Sequence, residues 1–325
     1  MKRFSPFFML LLFGCSGEQS ALAPLGAEAM EIGRLFAVVT GVCMAVLVIV
    51  TVLAWVAVGP PGRLRDALRR ERAILIGGLV FPAVVLTGFL VYGLVVLQAG
   101  SARAARSDGL EIAVTGKQWW WRVVYTDAEG RRIESANELR LPVGRRVTLL
   151  LASDDVIHSF WVPRFTGKLD MIPGRTLRLT LEAKAPGIGR GQCAEYCGGA
   201  HAFMSFYAIA MPQAEFDAWL AAEAKPAQEP GDDAAQRGKA VFGSSGCGAC
   251  HTVRGTEAAG KIGPDLTHVG GRMSLAAATL PNDAASFARW IRDSRHIKPE
   301  NLMPPFGQLS DAELADLARY LEALQ

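Results

Sequence analysis

At 325 residues, half of them hydrophobic, the chain exceeds one average domain and predicts two or three units. Its 34 basic residues against 31 acidic ones leave a formal charge of +3. Residues 1–109 hold ten Lys/Arg against six Asp/Glu, beside apolar runs, while residues 110–222 (thirteen against twelve) and 234–325 (ten against nine) are near neutral. That distribution excludes a nucleic-acid footprint.

Lys2 and Arg3 precede an apolar run at 7–13, the layout of a bacterial export signal over residues 1–15. Leu12-Phe-Gly-Cys15 resembles a lipoprotein processing site, which makes Cys15 a lipidation candidate; an ordinary or uncleaved signal is the alternative. Residues 16–30 read as a linker. Residues 35–58 and 73–98 then run without a charge, each roughly 36 Å or more as a helix, so residues 31–98 predict a two-helix transmembrane hairpin. Its loop, 59–72, carries five arginines against two acids and is expected in the cytoplasm. Everything after about residue 99 is thereby expected on the periplasmic or outer side of a bacterial cytoplasmic membrane. Cys43 reads as a small apolar residue of the first helix.

Beyond a polar linker the period changes. Segments 111–115, 119–125, 146–151 and 177–181 are rich in β-formers, with turns at 127–130 and 142–144, which predicts a small antiparallel sandwich or barrel over 110–222. An Ala, Pro and acid-rich linker follows at 223–233. Residues 234–325 read as all-α: Ser310 and Glu313 form a capping box, and Leu314, Leu317, Leu321 and Leu324 recur at helical spacing.

Two stretches carry chemistry. Cys193-Ala-Glu-Tyr-Cys197-Gly-Gly-Ala-His201-Ala-Phe-Met204 holds two thiols, an imidazole and a thioether within twelve positions. Such a soft donor set favours copper used for electron transfer over magnesium or calcium. His158, at a strand end, is the candidate for the further strong ligand. Cys193 and Cys197 would bridge two coppers, His158 and His201 would each cap one, and Met204 and the Glu195 carbonyl would act as weak axial ligands. A Cys193–Cys197 disulfide is the alternative. The second stretch, Cys247-Gly-Ala-Cys250-His251, is the C-x-x-C-H attachment signature of c-type heme, with His251 reaching the iron.

The first of these stretches, together with Val156-Ile-His-Ser-Phe160, Gly116-Lys-Gln-Trp-Trp-Trp121, Lys168-Leu-Asp-Met-Ile-Pro-Gly174 and the two-helix hairpin, resembles subunit II of heme-copper cytochrome c oxidases. The resemblance implies a membrane-anchored multidomain chain with an all-β, cupredoxin-like Greek-key domain carrying the dinuclear CuA centre on the residues just named. It also implies a magnesium contact for the Glu195 carboxylate at the boundary with subunit I, and makes Trp119 the aromatic residue through which electrons enter. Asn301-Leu-Met303-Pro-Pro-Phe306 resembles the distal loop of class I cytochromes c, which makes Met303 the sixth heme ligand, with Met273 the competitor. Pro264 matches the position whose carbonyl receives a bond from the proximal histidine, while His268 and His296 read as surface residues. The fusion resembles the caa type of oxidase. A respiratory donor, cytochrome c or a quinol-oxidising complex, would reduce heme c, and electrons would pass to CuA and on to heme in subunit I, where oxygen is reduced with proton pumping. Subunit I, further oxidase subunits and membrane lipid are the expected partners. The family's acid near the start of the second membrane helix is missing from residues 73–82, and Glu71 is the nearest substitute. Two other readings share part of these features: the CuA subunit of a nitric oxide reductase, and a membrane-anchored copper-delivery protein.

Overall fold

The computed structural model describes residues 17–104, 109–127 and 129–325. The export signal and Cys15 lie outside the described residues. Among the described residues, 30–104 make one compact unit and the others a second.

In the first unit, a helix at Ala27–Val58 stops where Pro60 and Pro61 follow, because a residue before proline avoids the α-region. A short helix, Arg63–Leu68, interrupts the arginine-rich loop. The second span runs from Glu71 to Gly100, and residues Ile76–Val80 adopt a π-register just before Pro82. Pro82 has no N–H to give and its ring crowds the carbonyl four residues back, so the hydrogen-bond ladder is reset there. Both helices have the length and apolar content to cross a bilayer.

The second unit contains a β-sandwich and a helical domain. One sheet has the order β3 (Arg132–Ala136), β2 (Trp120–Thr126), β1 (Leu110–Lys117), β5 (Arg146–Ser153), β8 (Leu177–Glu182). The other has β4 (Glu138–Pro142), β10 (Ser205–Met211), β9 (Gly187–Cys193), β6 (His158–Trp161), β7 (Leu169–Met171). Strands alternate inward apolar and outward polar residues, as β1 does with Leu110, Ile112 and Val114 buried. The pairing is mixed, whereas the sequence predicted an antiparallel sandwich: β1 runs parallel to β5, and β4 parallel to β10. The chain leaves one sheet after β3 and enters the other at β4, and Asn137, at φ 59°, makes that corner. Asparagine tolerates the left-handed region, and here its N–H and Oδ1 both bond the Trp121 backbone.

Trp121, Phe160 and Phe206 form the aromatic centre of the sandwich, with ring centroids 5.0–6.1 Å apart. Truncating one of these fully buried rings costs about 3–5 kcal/mol. Residues 17–26, expected as linker, run along the same domain, with Leu25 N–H donating to the Arg164 carbonyl at 2.6 Å and Lys184 N–H to that of Leu25 at 2.7 Å.

In the helical domain, Asp232, Asp283 and Ser310 cap the helices Asp233–Ser244, Ala284–Arg292 and Asp311–Ala323 through side-chain bonds to the first-turn amides. The last has the full capping box with Glu313, and Leu314, Leu317 and Leu321 are buried on its inner face. The first and last helices cross so closely that a Cβ on Gly238 would lie 2.0 Å from the Asp316 carbonyl oxygen. Only glycine allows that approach.

Candidate functional site

Three elements bring the first donor set together. His158 opens β6, Cys193 closes β9, and Cys197, His201 and Met204 lie on the turn that leads into β10. Because β6 and β9 are hydrogen-bonded neighbours, with Phe160 opposite Cys193, the sheet register itself sets His158 beside the thiols. Cys193 Sγ lies 3.8 Å from His158 Nδ1, and Cys197 Sγ lies 3.4 Å from His201 Nδ1 and 3.8 Å from Met204 Sδ. The Cys193 thiol also donates to the Glu195 carbonyl at 3.2 Å. Neither cysteine is in a disulfide, and His158, Cys193 and Cys197 offer ligand atoms all within 4.8 Å of one another. His158, Cys193, Cys197, His201 and Met204 are thus brought together around the two thiols, a soft donor set that would suit copper.

The surroundings orient these donors. His158 Nε2 donates to Asp155 at 2.7 Å, which leaves Nδ1 as the atom facing the thiols. Asp155 is itself fixed by the amides of Gln118 and Val156, each at 2.7 Å. A Cβ on Gly116 would lie 2.8 Å from the His158 ring, so glycine is required where β1 passes over the imidazole. Burial disfavours charge on His158, but its bonds to Cys193 and Asp155 outweigh that and raise its pKa. The hydrogen bond from Cys197 and, against the opposing effect of burial, that from His158 push Cys193 down, while the same pairing and burial push Cys197 up. Bound metal would hold both cysteines as thiolates.

Trp119 is buried, and its indole N–H donates to the Cys197 carbonyl at 2.9 Å. That bond satisfies the buried indole and ties the ring to the backbone of Cys197. The Glu195 carboxylate is exposed. Among the described residues, no further carboxylate or histidine joins it to form a second metal set.

The heme segment lies on a tight turn. His251 N–H bonds back to the Cys247 carbonyl at 3.0 Å, and Cys250 and Cys247 are free thiols. His251 Nδ1 meets the Pro264 carbonyl at 2.8 Å, the partner expected from the sequence, so Nε2 is the nitrogen left to bind iron. Gly263 presses on the ring, since a Cβ there would fall 2.5 Å from Cε1. Burial holds His251 below the usual histidine range, which keeps it a neutral donor. Met303 packs against the same hydrophobic cluster as Cys247, and Asn301 Oδ1 holds its amide at 2.9 Å. Met273 instead has its amide bound to Glu138 of the β-domain, with its side chain exposed. Cys247 and Cys250 would attach a c-type heme, and His251 and Met303 would be the side chains to hold its iron.

His268 departs from the sequence reading. It is 8% exposed rather than on the surface, and its Nε2 meets the Lys225 carbonyl at 3.0 Å. His296 is exposed as expected. Two residues were missed by sequence reasoning: Asp155, whose place three residues before His158 was a usable signal, and Lys298, buried with its Nζ donating to the Trp119 carbonyl, which the sequence does not distinguish from any other lysine.

A family model described as "Cytochrome C oxidase subunit II, periplasmic domain" matches residues 126–211, and one described as "Cytochrome c" matches residues 235–325. Cytochrome c oxidase subunit 2 of Alkalihalophilus pseudofirmus is 33% identical over 341 residues, covering 99% of this chain and 97% of the relative. The protein of that name from Bacillus subtilis is 32% identical over 228 residues, covering 67% of this chain and 63% of the relative. Among solved structures, the periplasmic domain of subunit II of cytochrome oxidase from Bradyrhizobium japonicum is 34% identical, covering 36% of this chain and 94% of that one, with a TM-score of 0.34. The two-helix segment, the cupredoxin-like sandwich and the cytochrome c domain occur here in one polypeptide, and the chain belongs to the cytochrome c oxidase subunit 2 family.

Proposed function

We propose that this chain is the electron conduit of a terminal respiratory oxidase. Electrons from a respiratory donor enter at the heme site of Cys247, Cys250, His251 and Met303. They pass to the copper site of His158, Cys193, Cys197, His201 and Met204, and on to a partner subunit that reduces oxygen to water and pumps protons. When bound, the heme and the paired coppers supply reversible one-electron chemistry. The observation that carries this reading is the convergence of both donor sets in one chain, with Trp119 hydrogen-bonded to Cys197 on the side where the heme domain packs.

The chain's own part is to hold geometry. Paired strands and the Asp155 bond fix His158, and a buried turn fixes the thiols, so the same ligands serve both oxidation states with little movement. Val156, Ile157, Tyr196 and Phe203, beside the copper donors in sequence, are exposed apolar residues. They supply a seat for subunit I on the outer side of the bacterial cytoplasmic membrane. Glu195 offers one carboxylate, so a magnesium there would draw its remaining ligands from that partner.

The test is turnover of the purified complex with oxygen and with nitric oxide. Oxygen consumption that depends on this subunit supports the proposal. Nitric oxide turnover without oxygen consumption replaces it with the reductase reading.

A further inference from the structure

The heme domain does not merely share a chain with the β-domain; it is seated on it beside the copper donors. Lys298 reaches out of the heme domain, 3% exposed, and donates through Nζ to the Trp119 carbonyl at 2.5 Å. The carboxylate of Glu300 lies over Gly199, where a Cβ would come within 2.2 Å of it. The hairpin turn at 276–278 adds a second contact, with the Ala277 carbonyl accepting from Ser205 N–H at 3.3 Å and the Ala278 carbonyl from Arg190 at 3.1 Å. Three successive alanines there have φ of 52°, 61° and 58°, a costly conformation for residues other than glycine that the hairpin's own bonds and these contacts together hold.

Lys298 also stands in a continuous series of bonds. Met303 N–H donates to Asn301 Oδ1 at 2.9 Å, Asn301 Nδ2 to the Lys298 carbonyl at 2.7 Å, Lys298 Nζ to the Trp119 carbonyl, and Trp119 Nε1 to the Cys197 carbonyl at 2.9 Å. The series joins a heme-site residue to a copper-site residue through four hydrogen bonds. A buried ammonium is costly, and burial pushes Lys298 down to about 7, against a smaller opposing pull from Cys197. An apolar residue would suit the location better unless the contact had a use.

We propose that Lys298 is a positioning residue that locks the heme domain onto the copper domain in one docked pose, over Trp119, so that transfer between the two sites occurs within a fixed pair rather than by tethered collision. This rests on the electron-conduit reading. A consequence is that Trp119 is closed to external donors, which must reduce the heme domain instead.

The experiment uses the intact oxidase complex. Flash reduction of heme c, followed optically, gives the rate of transfer to copper at several solvent viscosities, and hydroxyl-radical footprinting reports the exposure of Trp119. In the wild type, the rate should not vary with viscosity and Trp119 should be protected. Lys298→Met should keep its heme and copper spectra, slow transfer by about tenfold or more, make it viscosity-dependent and expose Trp119 to labelling. Lys298→Arg should recover protection and most of the rate. A viscosity-dependent wild-type rate, or a labelled wild-type Trp119, overturns the proposal without any variant. So does Lys298→Met with an unchanged rate and a protected Trp119. If wild-type heme c passes no electrons to copper at all, the conduit reading itself fails, a result distinct from failure of the lock.

Discussion

The two redox sites are built on opposite plans. At the candidate copper site, five residues from two adjacent strands and a turn are linked by donor contacts of 3.4–3.8 Å around the two thiols, with His158 fixed by sheet register and by Asp155. At the heme signature, three candidate donors occupy one five-residue turn, while the proposed fourth, Met303, lies about fifty residues away on a loop held by Asn301. In this chain the copper donors are set by strand pairing and side-chain bonds, whereas the heme signature relies on local sequence for three of its four candidates.

The sharpest way to break that comparison is to remove one donor from each site. Cys193→Ser should abolish the paired-copper signal in paramagnetic resonance and essentially all transfer. His251→Ala should retain heme on its two thioether bonds, visible on a denaturing gel, yet lose its native spectrum. Next in size is Asp155→Ala, which frees the His158 ring and should lower copper affinity about 10–100-fold, measured by chelator competition. The axial residues should do less: Met204→Leu should keep two coppers with an altered spectrum and potential, and Met303→Ala should keep covalent heme with a changed sixth ligand. An unaltered optical spectrum in the latter variant would transfer the role to Met273.

Two smaller effects lie outside the donors. Burial raises the pKa of Glu223 above its ordinary 4.5, although Arg272, His268 and Arg254 pull the other way. With a raised folded-state value, its contribution to stability is full below pH 4.5 and is lost as pH rises through that value. Glu223→Gln removes this loss, so its melting temperature relative to wild type should climb as pH rises from 4.5 toward neutrality. Ser310→Ala, which breaks the capping box, should cost about 1 kcal/mol by denaturant titration and leave transfer unchanged.

Much of both sites was legible because each is short in sequence: a twelve-residue copper stretch and a five-residue heme signature state their donors directly. The helical domain's last helix was legible from Ser310, Glu313 and its leucines. The strands were less so. β9 reads Gly-Ile-Gly-Arg-Gly-Gln-Cys, a poor strand by propensity, yet Gly189 and Gly191 are needed because Cβ atoms there would lie 2.9 Å from the Phe165 ring and 2.3 Å from that of Phe206. The parallel pairs were hidden because strand partners across a sheet switch leave no local trace. His268 and Lys298 were misjudged or missed for the same reason: their burial comes from the contact between the two domains, which neither domain's sequence displays alone.

The central claim is that the two donor sets form one electron path in one chain. Flash reduction of heme c in the purified complex, with copper followed optically and by paramagnetic resonance, tests it most directly. The account predicts one c-type heme and two coppers per chain, with oxidation of the heme matched in time by reduction of the copper pair. Heme that stays reduced while oxidised copper remains beside it would contradict the account.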